Sequence, residues 1–180
     1  MNFPAYPEYQ ESGVDWLGKS PSHWQIERLQ ARTRATIEQI FPEELKGRTV
    51  FLYSIPSVQD SGSCTQEDGD NIRSAKLKVS EKQILVSKLN PRKGTICTAS
   101  PRSELTLCSG EFVQLVPRGI SSRYLFYAVS SHEVRQRLES LVESATKSHQ
   151  RVDPSDIRKL WWVLPPLLEQ RTIADFLDHE

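Results

Sequence analysis

Neither sign of charge dominates this sequence, and no apolar run in it is long. Lys and Arg together number 23, Asp and Glu 23, so the net charge is zero and attraction to a polyanion cannot come from the chain as a whole. The longest apolar run, 160–168, is about half of the ~20 residues a membrane-spanning helix needs, and it holds Pro165 and Pro166. The start, Met1-Asn2-Phe3-Pro4-Ala5-Tyr6, lacks the charged and apolar regions of a secretory signal. Cysteines are few and odd in number: Cys64, Cys97 and Cys108 form no C-x-x-C pair, which leaves neither a disulfide framework nor a four-cysteine zinc site. These absences predict a chain of the reducing cytoplasm with no membrane contact. His23, His132, His149 and His179 are dispersed, without metal-ligand spacing.

Two further gaps bear on enzymatic function. There is no G-x-x-x-x-G-K-[ST] phosphate cradle. A methyltransferase would need a Gly-rich loop after a strand and an amide or acid before paired prolines, whereas Leu164 precedes Pro165-Pro166. No internal repeat or low-complexity tract is visible.

What is present predicts a mixed α/β fold: 180 residues suffice for one domain with an ample core. Short runs rich in Val, Ile, Phe, Tyr and Trp between prolines and glycines read as strands at 24–27, 50–55 (closed by Pro56), 84–86, 95–99, 111–116 (stopped by Pro117) and 161–164. Residues 1–23 read as an irregular arm held down by aromatic side chains, and 59–71 as an exposed polar loop. Ser121 or Ser122 can cap a helix through Leu125, Ala128 and Val129. Ser130 with Glu133 forms a capping box for a second helix, with Val134, Leu138, Leu141 and Val142 on one face. Asp153-Pro154 starts a short helix, and Pro166 opens an amphipathic one that reaches Glu180 in mid-pattern, as in a fragment of a longer helix.

Charge is neutral overall but not locally. From Lys82 to Ser103 there are five basic residues and no acid, and the apolar strand at 84–86 stops in Ser87-Lys88-Leu89-Asn90-Pro91-Arg92-Lys93. A second stretch, 144–151, again holds bases without acids. Lys88, Arg92, Lys93, Lys147 and Arg151 are suited to neutralising phosphates. Ser87, Asn90, Ser148, His149 and Gln150 carry the donors and acceptors that read base edges in a groove. If both segments lie on one side of the fold, they form a cationic, acid-free rim. The plain alternative is a pair of solvated turns. Glu44-Leu45-Lys46 offers a third reading, half of a Mg²⁺-dependent nuclease site, although any charged turn can show it. Cys97 and Cys108 read as small core residues.

Several stretches together, in order along nearly the whole chain, resemble the specificity (S) subunit of type I restriction-modification systems. They are Tyr6-Pro7-Glu8-Tyr9, Gly13-Val14-Asp15-Trp16-Leu17-Gly18, Pro21-Ser22-His23-Trp24, Ser87-Lys88-Leu89-Asn90-Pro91, Glu111-Phe112, and Leu164-Pro165-Pro166 running on to Ala174. The resemblance implies a target recognition domain over 1–163 that reads one half of a split site in double-stranded DNA. It implies that 164–180 begins the long helix that pairs as a coiled coil, with Leu168, Ile173, Phe176 and Leu177 as its partner-binding residues. It further implies a non-catalytic chain that works with a methyltransferase subunit, a restriction subunit and a second half-specificity subunit. S-adenosylmethionine, ATP and Mg²⁺ would belong to those partners, and no cofactor to this chain. An assembly module that docks a methyltransferase without reading DNA remains the competing expectation.

Overall fold

The alternation in Gln83-Ile84-Leu85-Val86-Ser87 sets the layering. Successive side chains of a strand point to opposite faces, and all five are buried, so both faces of this strand must be covered. The computed structural model describes residues 5–35, 37–142 and 150–179. In chain order the strands are β1 (Tyr9–Glu11), β2 (Lys19–Pro21), β3 (Gln25–Arg28), β4 (Thr33–Arg34), β5 (Gln39–Ile40), β6 (Thr49–Tyr53), β7 (Thr65–Asp68), β8 (Lys76–Lys78), β9 (Gln83–Ser87), β10 (Ile96–Ala99), β11 (Thr106–Ser109), β12 (Phe112–Pro117) and β13 (Trp161–Leu164). The helices are α1 (Ile55–Ser61), α2 (Ser122–Ser130), α3 (His132–Ser140), α4 (Pro154–Arg158) and α5 (Leu167–Leu177).

Two sheets carry the fold. An antiparallel sheet has the order β10-β9-β12-β4, and a mixed sheet the order β5-β8-β11-β6-β7 with β11 and β6 parallel. Ribbons β1-β2 and β13-β3 flank them. On one face of the antiparallel sheet Ile84, Val86, Val113 and Leu115 pack with Leu125, Val129, Val134, Leu138, Ile157 and Trp162 from α2, α3, α4 and β13. On its other face Leu85, Cys97, Ala99 and Phe112 meet Tyr53 and Cys108 of the mixed sheet and Val79 just past β8. Behind that sheet, Val50, Leu52 and Leu107 are covered by Leu45, Ile72 and Leu105. Fully burying side chains of this kind contributes about 1.5–3 kcal/mol each. The mixed α/β expectation holds.

Local chemistry corrects several sequence expectations. Pro56 does not close a strand: Ser54 caps α1, its Oγ accepting from the Ser57 N–H, and Pro56 sits in the first turn, where no N–H is needed. The polar stretch 59–71 accordingly holds the end of α1, β7 and a 3-10 turn. Ser131, not Ser130, caps α3, accepting from the Val134 N–H. The arm holds a hairpin, in which Tyr9 pairs with Pro21. Strands β8 and β11 lie where no strand was expected, because each is three or four residues long and is defined by its neighbours more than by its own pattern.

Helix α5 and the arm are tied together by Glu169. Its carboxylate accepts from Tyr6 Oη (3.1 Å), His23 Nε2 (2.8 Å) and Trp24 Nε1 (2.9 Å). Burial alone would raise the Glu169 pKa, but the donors on Trp24, His23 and Tyr6 outweigh it, and the carboxyl is held below its ordinary value. A folded pKa below the unfolded one contributes stability that is present above the unfolded value and is lost as pH falls through the folded value. Acid should therefore loosen the arm below the usual carboxylate range, seen as a change in Trp24 emission in a variant lacking the other tryptophans. Glu169→Gln should flatten that acid limb, and an unaltered limb would assign the transition to other carboxylates such as Asp178, itself held low by the Tyr127 hydroxyl and Arg123.

Candidate nucleic-acid interface

Strand β9 delivers Ser87 to the rim of the antiparallel sheet and then turns sharply. Ser87 was expected to face DNA, but it is only 3 % exposed. Its Oγ donates to the Leu89 carbonyl (3.0 Å) and accepts from the Leu89 N–H (3.1 Å), so it shapes the loop from inside. Asn90 has φ of 48°, in the left-handed region that asparagine tolerates better than most side chains. Its Oδ1 is buried without a partner among the described residues. A 3-10 turn, Pro91–Lys93, follows and presents Arg92 and Lys93 to solvent.

The second basic segment runs alongside the first. Asn90 N–H donates to the Gln150 carbonyl (2.8 Å), and Val152 N–H donates to the Lys88 carbonyl (3.0 Å). Leu89 and Arg151 form an antiparallel bridge. The loop after β9 and the residues before α4, some sixty positions apart in sequence, are thus bonded backbone to backbone. Lys147, Ser148 and His149 lie outside the described residues.

The rim is not free of acid. Arg151 places Nη2 at 2.8 Å and Nε at 3.2 Å from the two carboxylate oxygens of Glu111, a forked pair that engages one of the expected phosphate contacts. Charge counting along either segment missed Glu111 because it arrives from the start of a third one, beside β12. Lys88, Arg92 and Lys93 make no ion pair among the described residues. Asp153, the cap of α4, is held low mainly by the Ser155 N–H, with smaller contributions from Lys159 and Lys88. Sequence reasoning also missed Arg135 of α3. Its guanidinium lies so close over Gly94 that a Cβ there would come within 3.0 Å of Nε, which places another cation beside the turn. Only tertiary packing reveals it.

Other candidates fall elsewhere. Glu44 accepts from the Phe41 N–H (2.8 Å) and caps its own 3-10 turn, and among the described residues no group of three or more His, Cys, Asp and Glu could hold a metal ion. Cys97 and Cys108 sit between the sheets, where burial pushes both thiols up to about 12. On α5, Leu168 is 76 % exposed, whereas Ile173, Phe176 and Leu177 are half-buried and line an apolar cavity of about 500 Å³ with Tyr6 and Trp24. No helix among the described residues is long and apolar enough to cross a membrane.

The paired sheets, the helices on one face and the α5 junction make up an α/β domain whose fold is similar to that of solved type I restriction-modification S subunits. Solved structures that share it include three from type I restriction-modification systems. A chain from a study of assembly and conformational transition in the type I restriction-modification system has a TM-score of 0.74 at 20 % identity, over 88 % of this chain and 42 % of its own length. The HsdS subunit from Thermoanaerobacter tengcongensis has 0.72 at 19 %, over 88 % and 42 %. The type I restriction-modification S subunit from M. genitalium has 0.59 at 15 %, over 87 % and 38 %. What is shared at such identities is the fold, and this chain spans about two-fifths of the length of those proteins. No protein-family model and no curated protein matches the sequence.

Proposed function

We propose that this chain reads one half of a split DNA site as the target recognition domain of a type I specificity subunit. The observation that carries this reading is the backbone pairing of 88–90 with 150–152, which gathers Lys88, Arg92, Lys93 and Arg151 on one rim. The likeness in fold to specificity subunits supports it. In this role the free cations set register on the phosphates, while Gln150, with Ser148, His149 and the Nδ2 of Asn90, discriminates base edges. A good bidentate contact gives about 1–3 kcal/mol of discrimination. Residues 1–163 form the reader, and 164–180 begin the helix through which Leu168, Ile173, Phe176 and Leu177 dock partner subunits. The chain itself is non-catalytic and cytoplasmic, and binds no cofactor. Methyl transfer with S-adenosylmethionine and ATP- and Mg²⁺-dependent cleavage belong to separate subunits.

The test is the salt dependence of duplex binding. Each phosphate contact removed should flatten the slope of log affinity against log salt by about 0.9, so Lys88→Ala, Arg92→Ala and Lys93→Ala together should flatten it by roughly 2.7. A triple variant with the wild-type slope refutes the role. The exposed Leu168 and the apolar cavity beside α5 favour, as a second reading, a module that only docks a methyltransferase subunit. Capture of that subunit by a chain that retains no duplex at low salt would select it.

A further inference from the structure

Beside Lys88, residues of β5, β8, β12 and α4 line a cavity of about 240 Å³. That is below the roughly 300–1,000 Å³ of a pocket for a drug-sized molecule, and of a size for a single ring system. Its walls include Ile37, Leu77 and Phe112, and Lys88 and Arg158 flank it. Both cations are half-buried, and neither side chain makes an ion pair or a hydrogen bond among the described residues. Gln114 also lines the cavity and is 3 % exposed. Its Nε2 donates to the Lys78 carbonyl (2.8 Å), which fixes the amide's orientation and leaves Oε1 as a buried acceptor without a partner. A buried acceptor left unpaired is costly, and its environment selects a ligand that brings an N–H.

Apolar walls, a buried unpaired acceptor on a lining residue and two unpaired cations describe the chemistry of a nucleotide. We infer that this cavity takes a nucleotide unit, with the base between Ile37, Leu77 and Phe112, an N–H of the base on Gln114 Oε1, and the phosphate on Lys88 and Arg158. Every nucleobase carries at least one N–H on its pairing edge, so the acceptor suits the class. Two sources share this chemistry, a free nucleotide and a nucleotide swung out of a duplex held on the rim. Lys88 belongs to both rim and cavity, so the second source rests on the DNA-reading proposal. Extruded bases are held elsewhere by this combination of apolar walls and pairing-edge hydrogen bonds.

The experiment titrates the chain with the four deoxynucleoside 5′-monophosphates and with deoxyribose 5-phosphate, following backbone amide signals by NMR. A monophosphate should bind at least tenfold more tightly than the base-free sugar phosphate, with shifts at Phe112 and Gln114. Gln114→Leu should remove most of that ratio. Lys88→Ala with Arg158→Ala, both away from the core, should weaken both ligands and keeps the test decisive if the Gln114 variant fails to fold. Equal affinity for base-bearing and base-free ligands overturns the inference. To separate the sources, duplexes enriched from a random pool by binding to the chain receive 2-aminopurine at each adenine in turn. Brightening that disappears in Ile37→Trp, a filling change at a side chain 72 % exposed, assigns the site to an extruded base. A tenfold ratio without brightening assigns it to a free nucleotide. A chain that retains duplex with the expected salt slope but shows neither effect keeps the DNA-reading proposal and loses this one. A tenfold ratio in a chain that retains no duplex does the reverse.

Discussion

Gly69→Ala should destabilise the fold by about 3 kcal/mol or more, at or beyond the upper end of overpacking changes. A Cβ at this position would stand 2.0 Å from the Leu45 carbonyl oxygen and 2.8 Å from that of Arg48. Both are backbone atoms, so no side chain can swing aside. The Gly69 N–H meanwhile donates to the Arg48 carbonyl at 2.8 Å, which holds the two turns together at the contact. Relief would require separating the 3-10 turn Pro42–Leu45 from Gly69–Asn71 and straining the β6-β7 register, where Thr49 pairs with Asp68. Leu45, completely buried beneath, would lose its seat against Val50 and Ile72. Urea unfolding reads the effect as a lower midpoint at unchanged slope. Gly110→Ala is the control, since nothing lies within 4 Å of a Cβ there, and it should stay within about 0.5 kcal/mol of wild type. A wild-type midpoint for Gly69→Ala would mean that the two turns are not packed as described.

Gln170→Leu should cost about 2–4 kcal/mol and release α5 from the domain. The side chain is 2 % exposed and serves two backbone groups at once. Its Oε1 accepts from the Ser121 N–H (2.9 Å), and its Nε2 donates to the Pro165 carbonyl (2.8 Å). Leucine matches the volume and abandons both, and each buried group left unpaired costs about 1–3 kcal/mol. Gln170→Glu separates the halves of the contact: it keeps an acceptor for Ser121 but sets a buried carboxylate against the Pro165 carbonyl, and should be at least as damaging. On the surface, Arg123 of α2 pairs with Asp175 (2.8 Å) and with Asp178, and solvent screening of these exposed pairs leaves the buried Gln170 contacts as the stronger tie. Hydrogen exchange across 167–177 distinguishes local release of α5 from global unfolding. Unchanged protection in Gln170→Leu would show that apolar packing of Ile173 and Ala174 alone holds the helix.

Much of this arrangement was legible because the signals were local. The apolar run at 84–86, the cap at Asp153 with Pro154 behind it, the serine cap of α2, which the structure assigns to Ser121 of the two candidates, and the proline entry to α5 each depend on a few adjacent residues, and each appears where the pattern placed it. Pro56 misled because proline both ends strands and begins helices. The choice was made by Ser54 and Ser57, whose side chains satisfy the first turn of α1. The candidate site divides in the same way. Lys88, Arg92 and Lys93 could be recognised as a local basic run, whereas Ser87 turned inward because the alternation that buries Leu85 extends to it.

The sequence by itself determined the class of fold, the absence of charge bias and the two basic segments, since composition, periodicity and capping act over a few residues and need no knowledge of distant neighbours. Only the tertiary structure decided that Asn90 bonds to Gln150, that Glu111 meets Arg151, and that Gln114 keeps a buried acceptor beside a cavity flanked by Lys88 and Arg158. These relations join strands and loops far apart in the chain. Sheet register and helix packing bring such groups within hydrogen-bonding reach, and neither is written in any short stretch of residues.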